Sequence, residues 1–318
     1  MLKFDFIGKK NIWFGISAAI IVLSLVGMLV IGFNYSIDFK GGSSSEVRFK
    51  KAVSVEDVRS VLKEQGLGDS KIQPIENILG TDVGALSSTT KGTMMLLRTT
   101  ELSTDQETAV FKALDTKFGI SDRQTMTVDA SWGALITERA IYAFVAALVL
   151  LLIFITVRYE FKMSVAAILA LFHDIIITAG VYVLVGREVN PNMIAALITI
   201  LGYSLYDTIV VFHRIKENSP NIVRTTYSAM ANKSINQVLM RSINTSLTTL
   251  LPIIAILLFG GETLKDFAFA LMVGTIAGTY SSIFFASPLF VVWKEAEPYY
   301  RNLKNKYGKE AIARASTS

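Results

Sequence analysis

The chain has 318 residues, of which 52% are hydrophobic and only 18% charged, with a net charge of +5 and no cysteine. Soluble globular domains usually carry about 25% charged residues, so the composition favours a membrane protein. The absence of cysteine excludes thiolate catalysis, disulfides and cysteine-ligated metal, and we predict neither a metal ion nor another cofactor.

Six apolar segments are long enough to cross a bilayer, which takes about 20 apolar residues. In chain order they are 12–33, 134–157, 163–185, 192–212, 242–260 and 267–292. The first is too long for the apolar part of a cleaved signal peptide, and no A-x-A-like site follows it, so we predict an uncleaved anchor. The predicted fold class is a polytopic α-helical membrane protein with six transmembrane helices, five of which form a bundle over residues 134–292.

The distribution of Lys and Arg predicts the orientation. If the N-terminal segment 1–11 is cytoplasmic, the segments on that side hold sixteen Lys and Arg, whereas the two short outer loops hold only Arg187 and Lys265. Cations are enriched in cytoplasmic loops. We therefore expect both termini, including the basic tail 293–318, in the cytoplasm. The same bias accounts for the net charge without a nucleic-acid partner.

Residues 34–133, between the first two spans, are polar and nearly neutral, and they are expected outside the cytoplasm. Alternating and helical hydrophobic patterns predict the order β-α-β-β-α-β, which is the ferredoxin-like α+β arrangement. The strand "KIQPIENIL" (71–79) is the weakest element, because Pro74 cannot donate a ladder hydrogen bond. The segment shows no cluster of acid, base and nucleophile, so we predict a binding or mechanical module rather than an enzyme.

Polar residues recur at helical spacing inside the spans. The fourth span places Thr199, Tyr203 and Asp207 at i, i+4 and i+8. The third does the same with Asp174, Thr178 and Tyr182, and His173 adjoins Asp174. The fifth has a stripe of Arg241, Thr245, either Thr248 or Thr249, and Pro252. These aligned faces predict a bundle with a polar seam.

Small residues predict the packing of the sixth span. Ala270, Gly274, Gly278 and Ser282 share one face, and "GTIAG" (274–278) is a GxxxG motif of the kind that lets transmembrane helices approach closely. The amphipathic stretch 225–240, which precedes the fifth span, is predicted to be a separate helix that lies on the cytoplasmic membrane surface.

Asp207 is a candidate for a proton carrier. An ionised carboxylate at mid-membrane costs roughly 3 kcal/mol or more. Burial and a neighbouring cation act on a carboxyl pKa in opposite directions, so such a group can titrate near physiological pH. Arg241 enters from the same side and is predicted as its ion partner. The alternatives are a static pair at Asp207, a snorkelling anchor at Arg241, and a structural or proton-carrying role for Asp174, which lies deeper in its span.

Several motifs together carry a family resemblance. They are "SIDFKGG" (36–42), "ALFHDI" (170–175), "GYSLYDTIVVFHRIKEN" (202–218), "RSINTSLTTLLP" (241–252) and "FGGETLKDFAFALMVGTIAGTYSSIFFASPL" (259–289). With them the chain resembles, over nearly its whole length, the SecF family of bacterial protein-export membrane subunits, which is similar to the resistance-nodulation-division transporters. It departs from the family at His213, where relatives often carry an acid.

The resemblance implies a multi-pass subunit of the bacterial cytoplasmic membrane that uses the proton-motive force to assist protein translocation. Implied partners are SecD, the SecYEG channel, SecA indirectly, a YajC-like small subunit and the exported unfolded polypeptide. The resemblance places Asp207 and Arg241 in the proton path, with a further acid from SecD, and ranks them above Asp174, His173, Tyr203, Thr199 and Thr245. The rival hypotheses are a small-molecule or lipid exporter and a structural subunit without transport. No G-x-x-x-x-G-K-[ST] motif for ATP occurs.

Overall fold

The computed structural model describes residues 4–68, 70–75, 93–100, 102–222 and 224–316. The chain divides into two compact units. One, the sheet unit, is Tyr35–Ala140. The other, the helical unit, combines the residues up to Asn34 with those from Ile141 onwards.

The sheet unit is built around one antiparallel sheet. Its elements are α2 (Ile37–Lys40), β1 (Gly42–Phe49), α3 (Val55–Glu64), β2 (Lys71–Ile75), β3 (Met94–Thr99), α4 (Thr104–Phe118) and β4 (Ile120–Val128). The strand order is β2-β3-β1-β4, and each neighbouring pair is antiparallel. The predicted ferredoxin-like order is confirmed. Residues 76–79, the end of the predicted second strand, lie outside the described residues.

Local sequence explains where the two longer helices of this unit begin. The side chains of Ser54 and Ser103 accept hydrogen bonds from the backbone N–H groups of Asp57 and Gln106, respectively. The side chains of Asp57 and Gln106 in turn accept from the backbone N–H groups of the two serines, so each pair forms a capping box. In β1 every second residue is buried, ending in Val47 and Phe49. These side chains pack in one core with apolar residues of α3 and α4.

Six helices among the described residues are long and apolar enough to cross a membrane. Five of them are α1 (Lys10–Ile31), α5 (Ala130–Arg158), α6 (Phe161–Leu184), α7 (Pro191–Asn218) and α8 (Tyr227–Phe259). The sixth is a continuous rod of α9 (Glu262–Ser281), a π-helical segment (Ser282–Ala286) and α10 (Ser287–Glu295). The chain is a multi-pass membrane protein with the predicted number of spans.

The prediction of a separate surface helix over 225–240 is wrong. Helix α8 runs without interruption from Tyr227 to Phe259, and the Thr226 side chain caps its first turn. Ala231, Ile235 and Leu239 recur at i, i+4 and i+8 and are buried in the core of the helical unit. The apolar face that suggested a lipid surface therefore packs against protein, and no glycine or proline lies between Tyr227 and the span to end the helix.

The end of the bundle that carries Arg214 and Lys294 is called the basic end. There the predicted tail forms a further helix, α11 (Pro298–Ser316). Glu297 accepts hydrogen bonds from Lys162 at 2.9 Å and lies 3.3 Å from Lys294. Burial alone would raise the pKa of Glu297, but these lysines outweigh it, and the pKa is lowered.

The small-residue face of α9 lies against α7. A Cβ at Gly274 would come within 2.2 Å of the end of the Ile200 side chain, and one at Gly278 within 2.8 Å of Ser204 Cβ. A second close approach, which periodicity did not single out, brings Gly180 of α6 against Ser24 of α1. Both contacts depend on the missing Cβ, as expected where membrane helices pack through small residues.

Gly278→Ala is expected to destabilise the protein by about 1 to 3 kcal/mol, because the new methyl meets the Cβ and Cα of Ser204 rather than a flexible side-chain end. Gly202→Ala is the matched control, since a Cβ at that position would have no neighbouring atom within 4 Å and alanine is the better helix former by up to about 1 kcal/mol. Thermal unfolding of the purified chain in detergent measures both. Equal stability of the two variants would contradict the close α7–α9 contact.

Candidate functional site

The carboxyl groups of Asp174 and Asp207 are buried inside spans of the helical unit. Asp174 of α6 is 1% exposed and Asp207 of α7 is 5% exposed. Both positions were predicted from helical spacing. Their surroundings differ, and the difference decides what each can do.

Asp174 has partners on both carboxyl oxygens. Its Oδ1 lies 2.9 Å from His173 Nδ1, and its Oδ2 accepts hydrogen bonds from Ser204 at 2.5 Å and Ser281 at 2.8 Å. The His173 ring stacks on Phe285, with ring centroids 4.8 Å apart. The carboxyl group thus ties together α6, α7 and α9. Both carboxyl oxygens are satisfied, and a buried network of this kind stiffens a core, although Nε2 of His173 is buried without a hydrogen-bond partner among the described residues.

Asp207 is only half satisfied. Ser242 of α8 donates a hydrogen bond to its Oδ1 at 2.6 Å. Its Oδ2 is buried and has no hydrogen-bond partner among the described residues. An ionised oxygen left in this way is costly, because neither water nor a donor replaces its hydration. A proton bound to Oδ2 would remove the charge.

The predicted ion pair between Asp207 and Arg241 is not formed within the described part of the chain. Arg241 is exposed, and its guanidinium donates to the Tyr206 hydroxyl at 3.3 Å. Consecutive residues of a helix point about 100° apart. Ser242 therefore takes the buried position that faces Asp207, and Arg241 is turned outward.

The buried polar residues of α8 lie one position after the predicted stripe of Arg241 and Thr245. The buried polar positions are Ser242 and Ser246, and Ser246 lies within hydrogen-bonding distance of Tyr203 at 3.1 Å and Thr279 at 2.6 Å. The two serines share the i, i+4 spacing of "RSINTS". That spacing was visible in the sequence, but periodicity does not say which face of a helix meets protein.

Two predicted seam residues lie on the outer side of the helical unit. The Thr199 hydroxyl donates to the Ala195 carbonyl and the Thr245 hydroxyl to the Arg241 carbonyl, each at 2.8 Å, so both bond to their own helix. Thr245 is half-buried, whereas Thr199, Gly202, Tyr206 and Arg241 are exposed, so the outer face of α7 and α8 is partly polar. Arg241 also borders a groove of about 460 Å³ that includes His213, Arg214 and Val238.

No set of three or more His, Asp or Glu side chains within the described residues is arranged to hold a metal ion. The polar side chains around Asp174 and Asp207 carry hydroxyl, imidazole and carboxyl groups. Of these, the Asp207 carboxyl group combines burial inside a membrane-length helix with an oxygen that has no hydrogen-bond partner among the described residues.

Two family models match the sequence. "Protein export membrane protein SecD/SecF, C-terminal" covers residues 107–296, and "SecD/SecF GG Motif" covers residues 26–53. The chain belongs to the SecD/SecF family. The glycine pair of that motif is Gly41-Gly42, at the start of β1, with φ of +75° and +138°. A Cβ at Gly42 would lie 2.6 Å from the Thr99 carbonyl oxygen, so the SecD/SecF glycine pair serves the backbone geometry of the sheet unit.

Individual relatives agree with this assignment. The protein translocase subunit SecF of Mycobacterium tuberculosis (strain CDC 1551 / Oshkosh) is 40% identical over 320 residues, covering 94% of this chain and 69% of that protein. The SecF of Petrotoga mobilis is 38% identical, and the match covers 92% of this chain and 96% of that protein.

A crystal structure of SecDF from Thermus thermophilus, described as a translocon-associated membrane protein, superposes with a TM-score of 0.80 at 35% identity. The match covers 92% of this chain but only 39% of the SecDF chain. This chain thus corresponds to about two fifths of a protein that carries SecD and SecF names together.

Proposed function

We propose that the chain is a SecF-type subunit of a bacterial protein translocase that couples the proton-motive force to protein export. In this proposal it lies in the cytoplasmic membrane with both termini in the cytoplasm and works with a SecD-type half. It assists the passage of unfolded polypeptide through SecYEG after SecA has acted, and a YajC-like subunit accompanies it. The chain itself is not an enzyme. Asp207, buried with an open carboxyl oxygen, is the observation that carries the coupling step.

The exposed face of α7 and α8 supports the need for a second half. Tyr206, Arg241 and Thr245 are polar, yet they lie on helices that are long and apolar enough to cross a membrane. Polar side chains at such positions are costly against lipid and usually face protein or water. A SecD-type half that covers this face would bring its own acid towards Arg241. Arg241 would then serve the proton path from the partner side.

The energy scale constrains the coupling. One proton that crosses 100 mV supplies about 2.3 kcal/mol. Shifting a two-state equilibrium from 1:99 to 99:1 takes about 5.5 kcal/mol. Either several protons move in each cycle, or one proton shifts the equilibrium only partly between two conformations of similar free energy.

Membrane vesicles that contain the chain, its SecD partner and the SecYEG channel test the function class. We expect an imposed proton gradient to increase export of a secreted protein, and this increase to vanish when the chain is omitted. Efflux of hydrophobic dyes or lipids from the same vesicles should not depend on the chain. Gradient-driven efflux without an effect on export would instead favour the small-molecule or lipid exporter, and no gradient effect at all would favour a structural subunit.

Arg241→Ala is expected to lower gradient-stimulated export about tenfold, the equivalent of losing one hydrogen bond to a charged group. Arg241→Lys should fall between this variant and the wild type, because lysine keeps the charge but lacks the planar fork. Arg214→Lys is the control, since this arginine of the same groove is engaged by Glu217 and Gln237. If Arg241→Ala only reduced membrane insertion, with normal export per inserted molecule, Arg241 would be an anchor.

A further inference from the structure

We propose that Ser242 is the positioning residue of Asp207: its hydroxyl holds Oδ1, so that the proton is taken up and released at Oδ2. This inference rests on the proposed function and identifies a residue of the same site. The Ser242 hydroxyl is buried and lies 2.6 Å from Oδ1. It is the donor to Asp207 among the described residues, and Oδ2 lacks one.

A comparison with Asp174 explains why this arrangement matters. Both carboxyl groups are buried in neighbouring helices, but Asp174 receives hydrogen bonds on Oδ1 and Oδ2 from three side chains. A proton arriving at Asp174 binds an oxygen that already accepts a hydrogen bond, and so weakens that bond. At Asp207 one oxygen is fixed and the other is open, so a proton can bind without breaking an existing hydrogen bond.

Neighbouring contacts hold both partners in place. One turn beyond Ser242, Ser246 donates to the Ser242 carbonyl at 2.8 Å and is bonded to Tyr203 of α7. Next to Asp207, the Thr208 hydroxyl lies 2.8 Å from Ser282 of the π-helical segment. These contacts fix the rotation of α8 and α7 at the level where Ser242 faces Asp207.

The proton step is balanced by Asp207 alone. A proton from the aqueous phase on one side of the membrane forms an O–H bond on Oδ2, and the same bond later breaks and releases the proton to the aqueous phase on the other side. The Ser242 hydroxyl keeps its own proton throughout and donates to Oδ1 in both states. Ser242 therefore orients the group without carrying charge, which distinguishes a positioning residue from a second proton carrier.

Infrared difference spectroscopy of the chain assembled with its SecD partner tests the inference. The C=O stretching band of protonated Asp207 is the band that disappears in Asp207→Asn. In Ser242→Ala we expect this band to move to higher frequency, because its carbonyl oxygen loses a hydrogen bond. Gradient-stimulated export should fall about tenfold. Ser242→Thr, which keeps the hydroxyl, should return both readouts towards the wild-type values.

Ser234→Ala is the matched control. It removes the same atom from a buried serine of the same helix, whose hydroxyl donates to the Met230 carbonyl and accepts a hydrogen bond from Asn218 of α7 rather than contacting Asp207. In Ser234→Ala, both the frequency of the Asp207 C=O band and gradient-stimulated export should match the wild type. An unmoved band in Ser242→Ala, or a moved band with undiminished export, would overturn the inference. Failure of the proposed function gives a different result, in which Asp207→Asn itself leaves gradient-stimulated export intact.

Discussion

Asp207→Asn abolishes the part of protein export that depends on the proton gradient, while the subunit still inserts and assembles. This is the expected result because asparagine keeps the size of the side chain and an oxygen that can accept from Ser242, but it cannot bind and release a proton. Export of a secreted protein is measured in vesicles with and without an imposed gradient. The rate without a gradient should equal that of the wild type.

Asp207→Glu provides the control for titration as such. Glutamate can still carry a proton, but its longer side chain moves the carboxyl group away from the Ser242 hydroxyl. We expect gradient-stimulated export above that of Asp207→Asn and below that of the wild type. Wild-type export in Asp207→Asn with normal assembly would show that the buried carboxyl group is a static feature of the fold.

Asp174→Ala, in contrast, is expected to act on stability. It leaves His173, Ser204 and Ser281 without their common acceptor in a core from which water is excluded. Breaking such a buried network typically costs about 3 to 5 kcal/mol. Denaturant or thermal unfolding of the purified chain in detergent measures the loss.

Asp207→Ala is the matched comparison for stability. It leaves one buried donor, the Ser242 hydroxyl, without its acceptor and also removes the unpartnered Oδ2, so the loss should be about 1 to 2 kcal/mol. Equal losses for the two alanine variants would contradict the assignment of Asp174 as a structural crosslink. A stable, assembled Asp174→Asn that had lost gradient-stimulated export would move the proton-carrying role to Asp174.

Much of the fold follows from hydrophobic patterning. Six apolar segments predicted six spans, and the alternation in 34–133 predicted the sheet unit, because burial of apolar surface acts within each element and its period is visible in the sequence. The same reasoning placed Asp174 and Asp207 on polar faces. The small residues Gly274 and Gly278 were likewise visible as one face of a helix.

The Ser242–Asp207 contact could not be predicted in the same way. Periodicity gives the spacing of a polar stripe but not the rotation of the helix against its neighbours, so Arg241 and Ser242 were equally good partners for Asp207 by spacing. Charge favoured Arg241, whereas packing of α8 through Ala231 and Ile235 turned Ser242 inward. The continuity of α8 was missed for a related reason, since an amphipathic stretch has the same pattern whether it faces lipid or protein.

Proton uptake by proteoliposomes that hold this chain with its SecD partner is the decisive measurement for proton coupling through Asp207. Under an imposed membrane potential, with a pH-sensitive dye inside, we expect uptake by the wild type and none by Asp207→Asn, although both proteins are present in equal, assembled amounts. Uptake by Asp207→Asn at the wild-type rate would show that protons do not pass through this carboxyl group.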